Sequence, residues 1–387
     1  MKTQNPTLVK VEPQKLQKIP SSWSWFIDNA LTSFVKKNYS QQENWKDKPF
    51  GKQDALFFLK GIRELSDLFT EERSSRKMLN YLDHERFRSS YLLYFLPLQT
   101  SKFCTLFSKH ADAFEASISH GHETGKLTLI DLGAGPATAS IAYLLTILES
   151  KKIKLECNIE IHLVDKAKNT LKDGKHLLEL IANQFPKLQN KVTVVTHAVD
   201  CREWVKKNTL KSSLILIGHL LNEGGSHDYL LPLLSKAEGG GALFIEPAAK
   251  NSSQKLSHLR DMYFKEYEGA PPVWGPCLHQ GLCPMSNGRD WCHFSIPAKF
   301  ESQWFQFFSK GLTKQKEWLK FSYIWFSTQK QHPEKTEADT KLVLTDLLSK
   351  NPKVMSSVLL CDEEHPLRLP LKPNTKIWRG DLVKVRF

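Results

Sequence analysis

Residues 127–138 read LTLIDLGAGPAT: an apolar run that reaches Asp131, a turn with Gly133 and Gly135, and Pro136 where a helix would start. Glycines at the C-terminal edge of a first strand let the backbone approach a ligand closely. In nucleotide-binding sheets an acid at the end of the second strand accepts hydrogen bonds from ribose hydroxyls. Asp165 in IHLVDKA stands about one strand–helix–strand unit later. Asp200, after a third apolar run, is placed to face an adenine. A glycine pair alone would be a structural turn, but the strand context and the two later acids fit a sheet that binds an adenosine-containing cofactor.

A second concentration of chemistry lies at 274–294, WGPCLHQGLCPMSNGRDWCHF, where Cys277, Cys283 and Cys292 are spaced C-x5-C-x8-C, with Cys361 as a distant fourth. Four thiolates could close one metal site. Zinc favours short Cys-x2-Cys knuckles, and none occurs here; widely spaced loop cysteines suit a cubane iron–sulfur cluster better, with zinc the lesser alternative. His279 and His293 are alternative ligands, or hydrogen-bond partners of thiolates or RNA. Cys104, Cys157 and Cys201 lie on periodic stretches and read as fillers.

These residues need elements to hold them. Residues 1–127 read as helical, with apolar residues at three- and four-residue spacing over Ser22–Lys36, Lys52–Thr70 and Arg76–Pro97. From Leu127 short apolar runs alternate with amphipathic stretches: Leu127–Leu132, Ile159–Val164, Val192–His197, Leu214–Ile217 and Ala242–Ile245. That texture predicts a parallel sheet with crossover helices. A helix is expected to about Tyr267, an irregular functional loop over Gly269–Phe294, a strand over Phe321–Phe326, a polar connection over Gln329–Thr340, and short strands over Val354–Phe387 forming a small β appendage. The expected division is 1–126 helical, 127–268 cofactor-binding core, and 269–387 cysteine loop, last core strands and appendage.

The glycine turn resembles the first motif of the doubly wound, Rossmann-like class I S-adenosylmethionine-dependent methyltransferases, an acid followed by Gly-x-Gly-x-Gly. The third glycine position holds Ala137, whose methyl either crowds the cofactor or is tolerated. The wider chain resembles a small-ribosomal-subunit methyltransferase-like family of bacteria and mitochondria. The matching residues are DLGAGPAT at 131–138, HLLNE at 219–223, IEP at 245–247, the cysteine stretch at 276–294, FSY at 321–323, and Cys361 followed by RGD at 379–381. Leu278 departs from the proline usual after the first cysteine. The resemblance implies S-adenosylmethionine at Asp131, Gly133, Gly135, Asp165 and Asp200. It also implies a four-iron four-sulfur cluster on Cys277, Cys283, Cys292 and Cys361, and contact with small-subunit rRNA.

The chain of 387 residues is 41% hydrophobic, enough for a packed core, and no run approaches the length of a membrane span. Its net charge of +13 suggests a polyanion partner. The flanks carry most of it: residues 1–127 have 19 Lys and Arg against 14 Asp and Glu, residues 128–298 have 19 against 17, and residues 299–387 have 16 against 10. Trp291, Trp318 and Trp325 are candidates for stacking on bases, or core residues. Seven thinly spread cysteines and no signal-like start read as a reducing compartment, bacterial cytoplasm first and mitochondrial matrix as the alternative. A monomer is expected.

The catalytic residue is open. Neither the Asp/Asn-Pro-Pro-aromatic motif of base-amine methyltransferases nor a cysteine nucleophile follows the fourth strand of the core. His219, Asn222 and Glu223 stand there instead, as contacts to a flipped base or as caps of the next helix. Two functions follow: a methyltransferase acting on small-subunit rRNA during ribosome assembly, or a catalytically silent assembly factor that binds rRNA through basic flanks. A metal-dependent oxidoreductase would need an open coordination site or a second redox cofactor, and the sequence signals neither.

Overall fold

The computed structural model describes residues 7–11, 21–40, 46–71, 81–223, 227–267, 273–286, 288, 290–313, 315–327, 340–346, 348, 356–362, 365–371 and 375–386. Its strands are β1 (Thr7–Lys10), β2 (Lys126–Leu132), β3 (Asn158–Asp165), β4 (Val192–Ala198), β5 (Leu214–Gly218), β6 (Ala242–Pro247), β7 (Val273–Gly275), β8 (Phe294–Pro297), β9 (Trp318–Phe326), β10 (Thr340–Leu342), β11 (Ser357–Leu360), β12 (Leu367–Pro370) and β13 (Leu382–Arg386).

The main sheet runs β4-β3-β2-β5-β6-β9-β7, with β8 also paired to β9. Neighbours from β4 through β6 are parallel, while β9 is antiparallel to both β6 and β7. Counted from β2, the order is third, second, first, fourth, fifth, followed by a reversed strand slotted inside the last. This is the doubly wound class I methyltransferase sheet, with its switch point between β2 and β5.

Period-two alternation explains why the sheet is covered on both faces. Leu127 and Leu129 of β2, Leu214 and Leu216 of β5, and Leu243 and Ile245 of β6 enter one buried cluster. Ile130, Leu132, Ile215, Ile217, Ala242 and Phe244 enter the other. The first face is packed by the Thr138–Glu149 and Lys168–Gln184 helices and by the N-terminal helices over 21–39, Lys52–Glu71 and 85–109. Trp23, Phe26, Phe103 and Phe107 belong to that same cluster, so the N-terminal helices and the sheet share one core. The second face is packed by the Cys201–Lys207 and Lys250–Glu266 helices.

The helical reading of 1–127 holds with three changes. Thr7–Lys10 is a strand that pairs with β13, at the opposite end of the chain. Of the expected Arg76–Pro97 helix, residues 76–80 lie outside the described residues; beyond a 3₁₀ turn at Tyr81–Asp83 the helix runs from Glu85 and widens into a π turn over Tyr91–Phe95. It continues past Pro97 to Lys109, because Pro97 falls where the helical register resets and its missing N–H is not needed. A fourth helix, Ala111–Thr124, ends on Gly125 in the left-handed conformation.

The β appendage is a three-stranded sheet, β1-β13-β10, beside the β11-β12 hairpin. Val343, Val358, Leu360, Leu369, Ile377 and Val383 give it a small core of its own. Most of the expected 329–340 connection lies outside the described residues. Among the described residues no helix is long and apolar enough to cross a membrane.

Candidate functional site

The glycine turn leaves β2 at the switch point and enters the Thr138–Glu149 helix. Gly133 and Gly135 both take left-handed φ, 71° and 49°, as the tight reversal demands. The N–H groups of Gly133 and Ala134 donate to the Val164 carbonyl at the end of β3, at 2.9 and 3.0 Å. Asp165 then holds the turn directly. One carboxylate oxygen accepts from the Gly135 N–H at 2.9 Å and the other from the Ala167 N–H at 2.8 Å. The position a Cβ would take on Gly135 meets nothing within 4 Å, so that flank of the turn is open.

Asp131 does a different job. It is 2% exposed, and one oxygen accepts from both the N–H and the hydroxyl of Ser140, at 3.0 and 2.7 Å. This ties strand to helix beneath the turn. Burial pushes its carboxyl up to about 7, against the opposing pull of the two Ser140 bonds. Asp200 is exposed and caps the Cys201–Lys207 helix by accepting from the Arg202 N–H at 2.8 Å.

Ala137 sits at φ 61°, a left-handed value costing a non-glycine residue about 1–2 kcal/mol. Its methyl is fully buried and faces Gly174 of the Lys168–Gln184 helix. Crowding of a cofactor by this methyl is therefore not what the structure shows: the methyl packs into the core and Gly174 makes room for it.

At the end of β5, His219 is also left-handed, φ 61°. Its N–H donates to the Ile245 carbonyl at 2.8 Å and its Nε2 meets Gln99 Oε1 at 3.0 Å. Burial, with Lys102 nearby, pushes the imidazole down to about 3, so it is neutral. Asn222 Oδ1 accepts from Ser252 Oγ at 3.0 Å. The Glu223 side chain lies outside the described residues. The three candidates thus do not share one environment: His219 faces Gln99 and Lys102 of the 85–109 helix, while Asn222 faces the Lys250–Glu266 helix.

Cys277, Cys283, Cys292 and Cys361 line one pocket, together with His279, Arg260, Met285, Ser322 and Tyr323. Their charges act on one another: Cys277, Cys361 and Cys283 all raise Cys292, after burial, the largest cause. Burial also pushes Cys277 up to about 11 and raises Cys361. His279 Nε2 is 3.5 Å from Cys361 Sγ. Arg260, fully buried, donates to the carbonyls of Gly281 and His279 at 2.7 and 2.6 Å and pairs with Asp261 at 2.6 Å. Asp261 in turn accepts the Cys283 N–H at 2.9 Å, and Ser322 donates to the Cys292 carbonyl at 2.7 Å. Among the described residues no three His, Cys, Asp or Glu side chains are gathered as a single metal ion would require. The thiols stand around a chamber instead.

The family profile described as mitochondrial small ribosomal subunit Rsm22 matches residues 105–384, from the last turns of the long N-terminal helix to the final strand. The chain belongs to the Rsm22 family. No curated protein matches it. Solved structures resemble it distantly. A Listeria monocytogenes protein assigned to the class I S-adenosylmethionine-dependent methyltransferases is 12% identical, with 81% of this chain and 89% of that one covered and a TM-score of 0.34. The plantazolicin methyltransferase BamL, solved with S-adenosylhomocysteine, is 12% identical over 71% of this chain and 98% of its own, TM-score 0.32. A precorrin-6y C5,15-methyltransferase from Geobacter metallireducens is 13% identical over 52% and 81%, TM-score 0.29. These likenesses are weak, and the fold class rests on the sheet order.

Several functional groups of this Rsm22-family chain escape a reading of motifs. Arg260 carries a recognisable signal, a charged residue on the apolar stripe Leu256, Leu259, Tyr263 of its helix. Lys102 and Gln99 carry a similar one on the Leu96–Lys109 helix. Gly174 and Ser140 have none, since their roles exist only across helix contacts. Of the tryptophans, Trp325 is fully buried and donates to the Gly240 carbonyl, so it cannot stack on a base; Trp318 is 55% exposed, and Trp291 donates to the Ala248 carbonyl.

Proposed function

We propose that this chain is an S-adenosylmethionine-binding, methyltransferase-like protein of the mitochondrial small ribosomal subunit that acts on small-subunit rRNA during assembly. The observation that carries the reading is Asp165, whose two oxygens hold Gly135 and Ala167 and so fix an open glycine turn at the switch point of a methyltransferase sheet. Asp131 supports that turn from below through Ser140, and Asp200 flanks the third strand. The bound cofactor would supply an electrophilic methyl; the chain's own part is to hold the turn, exclude water and orient the acceptor. The mitochondrial setting follows the family's description. A bacterial cytoplasm, the first expectation from the sequence, gains no support from it. The net charge of +13, weighted to the flanks, supports an RNA partner. Residues 1–126, 127–268 and 269–387 serve in this reading as helical unit, cofactor core, and cysteine loop with appendage.

The cysteine chamber fits a four-iron four-sulfur cluster held by Cys277, Cys283, Cys292 and Cys361. Four thiols from two distant stretches of chain line one pocket beside the buried Arg260, a donor set suited to an anionic cluster that a neighbouring cation helps to balance, with zinc the lesser alternative. Such a cluster would staple the loop after β7 to the end of β11, fixing the appendage against the sheet.

The deciding experiment is methyl transfer from labelled S-adenosylmethionine to small subunits from cells lacking the protein. Label in rRNA that disappears with Asp165→Ala supports an enzyme. Particles that bind the protein and gain no label support a silent assembly factor. The neutral His219, committed to Gln99, favours this second reading, because it offers no obvious base at the substrate position.

A further inference from the structure

The reading above leaves one buried charge unused. Lys102 lies on the Leu96–Lys109 helix and is only 5% exposed. Among the described residues no carboxylate pairs with its ammonium and no acceptor bonds to it. Its neighbours are the Phe321 ring, whose centroid is 5.9 Å from Nζ, the imidazole of His219, and the cation of Lys316. An uncompensated ammonium inside a protein is costly, and a second cation beside it adds to that cost. Burial first, and Lys316 second, pull Lys102 down to about 7. A buried cation that no described side chain compensates is suited to receive an oxyanion.

Its place in the fold narrows which one. His219 follows β5 directly and Phe321 pairs with Pro247 at the end of β6, so both mark the C-terminal edge of the parallel strands, where doubly wound sheets bind their ligands. The same helix is keyed to the glycine turn. Cys104 Sγ donates to the Ala142 carbonyl at 3.7 Å and Phe103 lies 3.3 Å from the position of a Cβ on Gly218, while Leu220, two residues past β5, lies 3.3 Å from that of Gly133. Lys102 therefore stands at the β5 side of the switch point, with Asp165 on the β3 side. A ligand whose ribose meets Asp165 would direct its amino-acid end toward Lys102. The depth of Lys102 suits the end of a small molecule better than the backbone of a folded RNA.

We propose that Lys102, with Gln99 and His219 beside it, receives the α-carboxylate of the methionine-derived cofactor. This rests on the cofactor reading above. The test is calorimetric titration of the full chain with S-adenosylhomocysteine and with its decarboxylated analogue, which keeps the adenosine, thioether and amine. Lys102→Met should weaken S-adenosylhomocysteine by roughly tenfold to a hundredfold and leave the decarboxylated analogue unchanged. Lys102→Arg should recover part of the loss. Equal weakening of both ligands, or of neither, overturns the assignment. So does a loss confined to a single-stranded rRNA fragment, which would make the oxyanion a nucleic-acid phosphate. A wild-type chain that binds neither ligand fails the cofactor reading itself, and this inference with it; far-ultraviolet dichroism and melting of each variant separate these outcomes from misfolding.

Discussion

Asp131→Asn separates burial from hydrogen bonding beneath the glycine turn. Two influences compete on this carboxyl: desolvation raises it, and the two donors of Ser140 lower it. Desolvation wins, taking the group from 3.8 to about 7. A folded value above the unfolded one means that the native chain holds this proton more tightly. The resulting stability is complete below about pH 4 and is lost as pH rises through 7. At about 1.36 kcal/mol per unit over roughly three units, the full loss is about 4 kcal/mol, of which some 2–3 kcal/mol falls between about pH 5 and pH 8. Asparagine keeps the acceptor for Ser140 and removes the titration. Urea unfolding of both proteins across that range should show wild-type stability falling relative to Asp131→Asn by that amount, while shared groups cancel. Parallel curves would refute the dominance of burial. A gain of wild-type stability with pH would show that the Ser140 bonds dominate instead.

Gly174→Ala should cost about 1–3 kcal/mol and displace the glycine turn, because its Cβ would meet Pro136 C at 2.7 Å and Ala137 Cβ and N at 2.9 Å. Thermal melting and S-adenosylhomocysteine binding check this, and an unchanged melting temperature would show that the two helices separate freely. Cys361→Ser should lower iron and acid-labile sulfide from about four each per chain in anaerobically prepared protein and increase proteolysis of the appendage. Stoichiometric zinc without iron in the wild type would overturn the cluster. Lys36→Met should cost about 3–5 kcal/mol in denaturant unfolding. It leaves Asp54 buried without the ammonium now 2.8 Å away, where both side chains are nearly sealed from solvent. A loss below about 1 kcal/mol would mean that water reaches the pair.

Much of this protein was legible in one dimension. Alternating apolar residues in β2, β5 and β6 sort to opposite faces of the sheet because side chains of a strand must point to opposite sides, so strand runs and crossover helices follow from pattern alone. The glycines of the turn are likewise readable, since only such residues take left-handed φ without cost. The cysteine spacing placed three thiols in one loop, and only the fold brought the distant Cys361 to the same pocket. What the tertiary structure alone decided are relations between segments far apart in the chain. Asp131 and Asp165 look equivalent as acids at strand ends, yet one is sealed against Ser140 and the other reaches the Gly135 N–H. Ala137 looks like a defect until Gly174 is found opposite its methyl. Lys102 reads as an ordinary basic residue on an amphipathic helix, and only the packing of that helix over the end of β5 and against Phe321 of β9 strips it of water and, among the described residues, of partners. Local propensity acts over a few residues. Desolvation, which gives these groups their chemistry, is set by what the rest of the chain brings alongside.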